Sequence, residues 1–161
     1  MKKPNWLLIF LYVIAITLFL LAVWKNCRAE EVNWDKLIPI IITIESNGDP
    51  NAISEDGCIG LMQISPMVLK ECNLEGVWKG EINTKGFFVL EDLFNPTINV
   101  KIGKWYLKRI WFHYLPYYKL EQNIDNLLWA YNAGIGNVIK EIKPRETRDY
   151  IKKYHKLAKG D

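Results

Sequence analysis

Hydrophobic residues are laid along this chain in two patterns. Between Trp6 and Trp24 they run unbroken by charge for about 19 residues, with Lys2 and Lys3 ahead and Lys25 and Arg28 behind, as in a segment that crosses a bilayer. From Asn33 onward they come at helical spacing instead. Leu37, Ile38, Ile41, Ile42 and Ile44 follow a cap at Asn33 or Asp35 and predict a helix. Ser46, Asn47, Gly48, Asp49 and Pro50 stop it. The polar stretch 51–60 reads as a loop in which Gly57 and Gly60 bracket Cys58 and Ile59 as a turn or short hairpin would, and Leu61 to Ile64 reads as extended. Pro66 opens a helix to about Cys72, and residues 73–88, with Gly76, Gly80 and Gly86 and no clear period, predict a loop. Asn95-Pro96 opens the strongest helix, with Val100, Tyr106, Leu107 and Ile110 among its apolar positions, ended or kinked by Pro116. Ile124 to Asn132 predicts a short helix stopped by Gly134 and Gly136, Val138 to Ile142 a further turn before Pro144, and Arg145 to Leu157 a closing charged helix.

With 161 residues, half of them hydrophobic, the chain has length for one small domain behind its N-terminal element. The expected division is 1–29 and 30–161. The first part reads as an export element, either a retained signal anchor or a signal peptide cleaved near Cys27-Arg28-Ala29; its length and its terminal tryptophans favour the anchor. Lys2 and Lys3 put the N-terminus inside and the remainder outside. The net charge of +3 belongs to that element: residues 1–29 carry four basic and no acidic side chains, leaving 17 basic against 18 acidic beyond Ala29. A near-neutral exported part offers no nucleic-acid footprint. Cys27, Cys58 and Cys72 have no metal spacing, and His113 and His155 are isolated.

Against this background Glu45 stands out. It falls in the last turn of its helix, where apolar neighbours and the negative end of the helix dipole both disfavour an ionised carboxylate. A raised pKa is what a general acid near neutral pH requires. Alone, a glutamate on a helix is usually a solvated surface residue. It is not alone.

Five motifs follow in order: Glu45-Ser46, GLMQIS from Gly60 to Ser65, NPTINVKIGKWYL from Asn95 to Leu107, AYNAG from Ala130 to Gly134, and ETRDY from Glu146 to Tyr150. Each is weak by itself; together, over nearly all of residues 33–155, they resemble the SLT-type (family 1) lytic transglycosylase domain. The resemblance implies a mainly α, lysozyme-like α+β fold: a helical domain with a small β-element beside the active-site cleft, here preceded by an N-terminal hydrophobic helix. It implies a peptidoglycan lytic transglycosylase that cuts the β-1,4 bond between N-acetylmuramic acid and N-acetylglucosamine without water and leaves 1,6-anhydromuramoyl ends. Glu45 would be its single acid and base, with no cofactor and no metal. The implied partners are peptidoglycan glycan strands, and the membrane through the N-terminal helix.

By the same implication substrate contacts fall to Ser46, Met62, Gln63, Ser65, Tyr131, Asn132 and Glu146. Each also has a plainer reading. Met62 and Tyr131 suit a core, Gln63 a structural hydrogen bond, Asn132 a loop brace, and Glu146 a salt bridge to Arg148 or a nearby lysine. Ser46 either caps its helix or touches the Glu45 carboxylate, and Ser65 stands where many relatives carry a methionine. Cys58 replaces a usually small residue, and the 73–88 stretch is outside the pattern. A hydrolytic lysozyme of related fold would need a second carboxylate, from Asp49, Glu55, Asp56 or Glu146. An accessory wall-opening part of a secretion or conjugation system is a further alternative.

Overall fold

The computed structural model describes residues 10–19, 31–75 and 86–160. The chain divides into two compact units, Met1–Glu30 and Glu31–Asp161. In the first, residues 10–19 form a helix (α1). The rest of the predicted apolar run lies outside the described residues, and among those described no helix is long and apolar enough to cross a membrane.

The second unit begins where the sequence places a cap. Asn33 accepts the Lys36 amide at 3.1 Å and opens α2, Trp34–Ser46, whose apolar stripe buries Leu37, Ile38 and Ile41. Asn47, in the left-handed region at φ 53°, ends it one residue beyond Ser46. Glu45 therefore sits in the last turn, as its neighbours predict. α3 spans Pro66–Glu75, a turn longer than expected, and residues 76–85 of the predicted loop lie outside the described residues. The Asn73 side chain is itself a clasp, pairing with both the amide and the carbonyl of Phe88 at 2.8 Å. A 3-10 turn, Leu90–Phe94, unremarked in the sequence, leads to α4, Pro96–Arg109, which Asn95 caps through the amides of Thr97 and Ile98.

Pro116 does not end that helix. The chain continues through a π turn, Ile110–Tyr114, and a short α5, Leu115–Tyr117, and stops at Lys119 with φ 56°. Proline removes a backbone donor, and a locally widened turn is one way a helix accommodates the loss. α6, Ile124–Ala133, ends at Gly134 as predicted, whereas Gly136 lies inside a further short helix, α7, Ile135–Ile139. α8, Arg145–Lys159, closes the unit and packs its Thr147, Tyr150 and Ile151 side against α2 and α6.

The expected β-element is not a strand among the described residues. Two isolated antiparallel bridges, Ile53 with Ile59 and Ile59 with Ile64, close the loop after α2. Gly60 at φ +77° and Gln63 at φ 47° turn the backbone too tightly between Ile59 and Ile64 for a ladder to extend. Beneath this loop sits Asn99 of α4, fully buried. Its Oδ1 accepts the Met62 amide at 2.8 Å, and its Nδ2 donates to the carbonyls of Ile59 at 2.8 Å and Leu93 at 2.9 Å. Gly60 lets the strap come this close: a Cβ there would lie 2.5 Å from the Leu93 carbonyl oxygen.

Candidate active site

The end of α2, the 54–65 loop, the first turns of α3, α4, the end of α6 and the start of α8 surround one cleft of about 350 Å³. Glu45, Ser54, Asp56, Cys58, Gln63, Ser65, Glu71, Tyr106, Tyr131, Asn132 and Glu146 contribute to its wall. Glu45 is half-buried, and its Oε1 accepts the Tyr150 hydroxyl at 2.8 Å. Its pKa is raised from 4.5 to about 7. Burial is the main cause; Tyr150 opposes it, the Glu146 carboxylate adds to it, and the Lys153 ammonium opposes it. The Tyr150 hydroxyl is pushed well above its ordinary pKa by burial and by the Glu45 charge, so it remains a donor.

A carboxyl group that folding keeps protonated has a consequence for stability. Between pH 4.5 and about 7 the folded state holds a proton that the unfolded state has lost, so stability falls as pH rises through that window and levels off above it. The shift corresponds to about 3 kcal/mol. Glu45→Gln should therefore melt at a higher temperature than the parent at pH 8, with the difference shrinking toward pH 4; thermal melts across that range measure it.

Two expected contacts do not reach the cleft. Met62 is fully buried, its sulfur packed over Gly103 of α4, and only its carbonyl takes part, accepting the Tyr131 hydroxyl at 2.8 Å. Ser46 donates to the Leu61 carbonyl at 2.9 Å and accepts the Gly48 amide at 3.2 Å, so it ties the helix end to the loop. Neither residue lines the wall, because the Met62 side chain is taken up by the core and the Ser46 hydroxyl by the turn after α2.

The others do line it, mostly with a structural bond as well. Gln63 gives both hydrogens of its amide to the carbonyls of Ala52 and Gly60, at 3.2 and 3.0 Å, so what it has left to offer is an acceptor. Ser65 accepts the Val68 amide at 3.2 Å as the cap of α3. Asn132 accepts the buried Thr147 hydroxyl at 2.7 Å and joins α6 to α8. The Tyr131 ring lies 5.8 Å from that of Tyr106, which gives the cleft an aromatic wall. Glu146 lines the cleft from the first turn of α8, and its charge reaches Glu45. Asp56 also lines the cleft, whereas Asp49 is occupied in a turn, accepting the Asn51 amide at 2.8 Å.

Sequence reasoning missed Tyr150, Tyr106 and Glu71. Tyr150 follows Glu146 by one helical turn and so shares its face, a signal within the ETRDY stretch. Tyr106 reads as one more apolar position of α4. Glu71 carries no local signature.

A helical domain that half-buries one protonated acid in an aromatic, carboxylate-bearing cleft has the equipment to cut a glycosidic bond by proton transfer. The chain belongs to the transglycosylase SLT domain family, whose model matches residues 23–154. It is 39% identical over 72 residues to the endo-type membrane-bound lytic murein transglycosylase A of Salmonella paratyphi B and to that of Salmonella enteritidis, over 44% of this chain and 32% of theirs. Its backbone matches the 70 kDa soluble lytic transglycosylase SLT70 of Escherichia coli with a TM-score of 0.60 and 27% identity, over 80% of this chain and 21% of that one. The chain thus spans about a third of these membrane-bound relatives and about a fifth of SLT70.

Proposed function

We propose that this chain is a peptidoglycan lytic transglycosylase in which Glu45 serves in turn as acid and base. The observation that carries the reading is Glu45 itself: a cleft carboxyl with a pKa of about 7, hydrogen-bonded to a hydroxyl that stays protonated. Protonated Glu45 gives its proton to the glycosidic oxygen between N-acetylmuramic acid and N-acetylglucosamine as the C1–O bond breaks. The substrate's own acetamido group stabilises C1, so no second carboxylate is required. The Glu45 carboxylate, which the Tyr150 hydroxyl stabilises once the proton has left, then takes the proton of the muramyl C6 hydroxyl while that oxygen bonds to C1. The proton is returned to Glu45, and a 1,6-anhydro end replaces water addition. Gln63, Tyr131, Asn132 and Glu146 would hold the glycan along the wall. Residues 30–161 form the catalytic domain in this reading. Residues 1–29 are its membrane anchor, a placement supported by the apolar run and by the membrane-bound character in the relatives' name.

The acid must be protonated to begin the reaction. Release of soluble muropeptides should therefore fall about tenfold per pH unit above pH 7 and stay near its maximum just below. A rate that climbs steadily through pH 8 would contradict Glu45 as the acid. Tyr150→Phe removes the donor that favours ionised Glu45, so the alkaline limb should move to higher pH, and the rate below it should fall roughly tenfold because the carboxylate left when Glu45 gives up its proton is no longer stabilised. A pH–rate profile of the variant measures both.

A further inference from the structure

On the Tyr106 side of the cleft stands a carboxylate that the proposed reaction does not use. Glu71, from the middle of α3, lines the wall with its side chain about a quarter exposed. It is held from behind: its Oε1 accepts Arg109 Nε at 2.6 Å and also the Tyr114 hydroxyl. Arg109 pairs with Glu75 as well and lies over the rings of Trp105 and Tyr114, 5.5 and 5.1 Å from their centroids. The π turn at Ile110–Tyr114 makes this possible. Residues 109 and 114 would point roughly 140° apart around an ideal α-helix, and widening the turn brings them together, so that Arg109 Nε also meets the Tyr114 oxygen at 2.9 Å. Among the described residues, both bonds to Glu71 fall on its Oε1. Oε2 takes none of them.

A carboxylate held by a guanidinium and a hydroxyl is an acceptor of fixed direction. Beside the Tyr106 ring, which offers a flat apolar face, such an acceptor suits a neutral sugar that presents a hydroxyl or an amide N–H. We infer that Glu71 is a glycan-binding residue of this cleft, its Oε2 accepting from a hydroxyl or acetamido N–H of an N-acetylated sugar beside Tyr106, with Arg109 and Tyr114 as the positioning residues that aim it. The inference rests on the reading of the cleft as a glycan site, and it adds a specificity: the sugar at that position is neutral, because an anionic group would be repelled.

The test uses the full chain carrying Glu45→Gln, so that nothing turns over, and titrates it calorimetrically with the hexamer of N-acetylglucosamine. Adding Glu71→Gln should raise Kd about tenfold or more, the loss of one charge-assisted bond, and adding Arg109→Met should raise it in the same direction. With Glu45 intact, Glu71→Gln should raise KM for peptidoglycan and leave kcat within about twofold. A purely structural role would lower the melting temperature and leave Kd unchanged. Unchanged Kd in folded Glu71→Gln overturns the inference. Should that variant not fold, Tyr114→Phe deletes one donor to Glu71 and keeps the ion pair; several-fold weaker binding supports the inference and unchanged binding overturns it. Absence of hexamer binding in the Glu45→Gln parent overturns both this inference and the glycan reading. Hexamer binding that depends on Glu71 without release from peptidoglycan fails the proposed reaction and leaves Glu71 in place.

Discussion

Glu45→Gln should reduce muropeptide release by at least about 10³-fold while leaving the domain folded. The glutamine keeps the size of the side chain and an oxygen for the Tyr150 hydroxyl, so the packing that half-buries Glu45 persists. What disappears is a proton that can be given and an oxygen that can take it back, and the proposed reaction needs both steps from one group. The same substitution removes the cost of ionising a desolvated carboxyl. An inactive variant that melts later than its parent at pH 8 would tie the activity to the destabilising group. A reduction below about tenfold would leave Glu45 a spectator.

Asn99→Ala should cost about 3–5 kcal/mol, enough to lower the melting temperature by roughly 10–20 °C. The truncation strands the Met62 amide and the Leu93 carbonyl in a fully buried place, takes from the Ile59 carbonyl one of its two donors, the Ile64 amide remaining, and leaves a void. The three groups belong to the loop that carries Gln63 and to the turn that leads into α4. Catalysis should suffer along with stability, because Tyr131 anchors to the carbonyl of the same Met62. Asn99→Asp separates packing from bonding: it fills the space and can still accept from Met62, but an ionised Asp cannot donate to either carbonyl. Thermal melts of both variants should rank Asn99→Asp with Asn99→Ala rather than with the parent. Melting of both within a few degrees of the parent would show that the strap is not held by Asn99.

How far the sequence could be read depended on whether a feature was local. The cap at Asn33 with the stop at Asn47, the Asn95-Pro96 start and the Gly134 end are written in neighbouring residues, and the helices follow them. Glu45 was legible for the same reason, since the end of a helix and its apolar neighbours are contiguous in the chain. Of the two readings of Pro116, an end or a kink, the helix does not end there but runs on to Tyr117; proline shows only that a donor is missing, and the widened turn at Ile110–Tyr114 is not written in its neighbours. The expected β-element failed for a related reason. Gly57 and Gly60 mark a turn, but they do not show that Asn99, 39 residues beyond Gly60, satisfies the backbone that a ladder would otherwise pair. Met62 and Ser46 belong to the right motifs, yet their side chains turn inward. Motif membership placed the backbone correctly, and burial decided which side chains it exposes. The spacing from Glu146 places Tyr150 on the right face of its helix, but its contact with Glu45 across 105 residues, like that of Glu71 with Arg109 across 38, is encoded by no local pattern.

The most direct test of the central claim is to digest purified peptidoglycan with the full chain in water enriched in ¹⁸O and weigh the released muropeptides. The proposed reaction predicts products lighter by one water than their hydrolytic counterparts, carrying no ¹⁸O and absent from the Glu45→Gln digest. Products with reducing ends that have taken up ¹⁸O would contradict it, and would make the cleft that of a hydrolase whose second carboxylate lies among Asp56, Glu71 and Glu146.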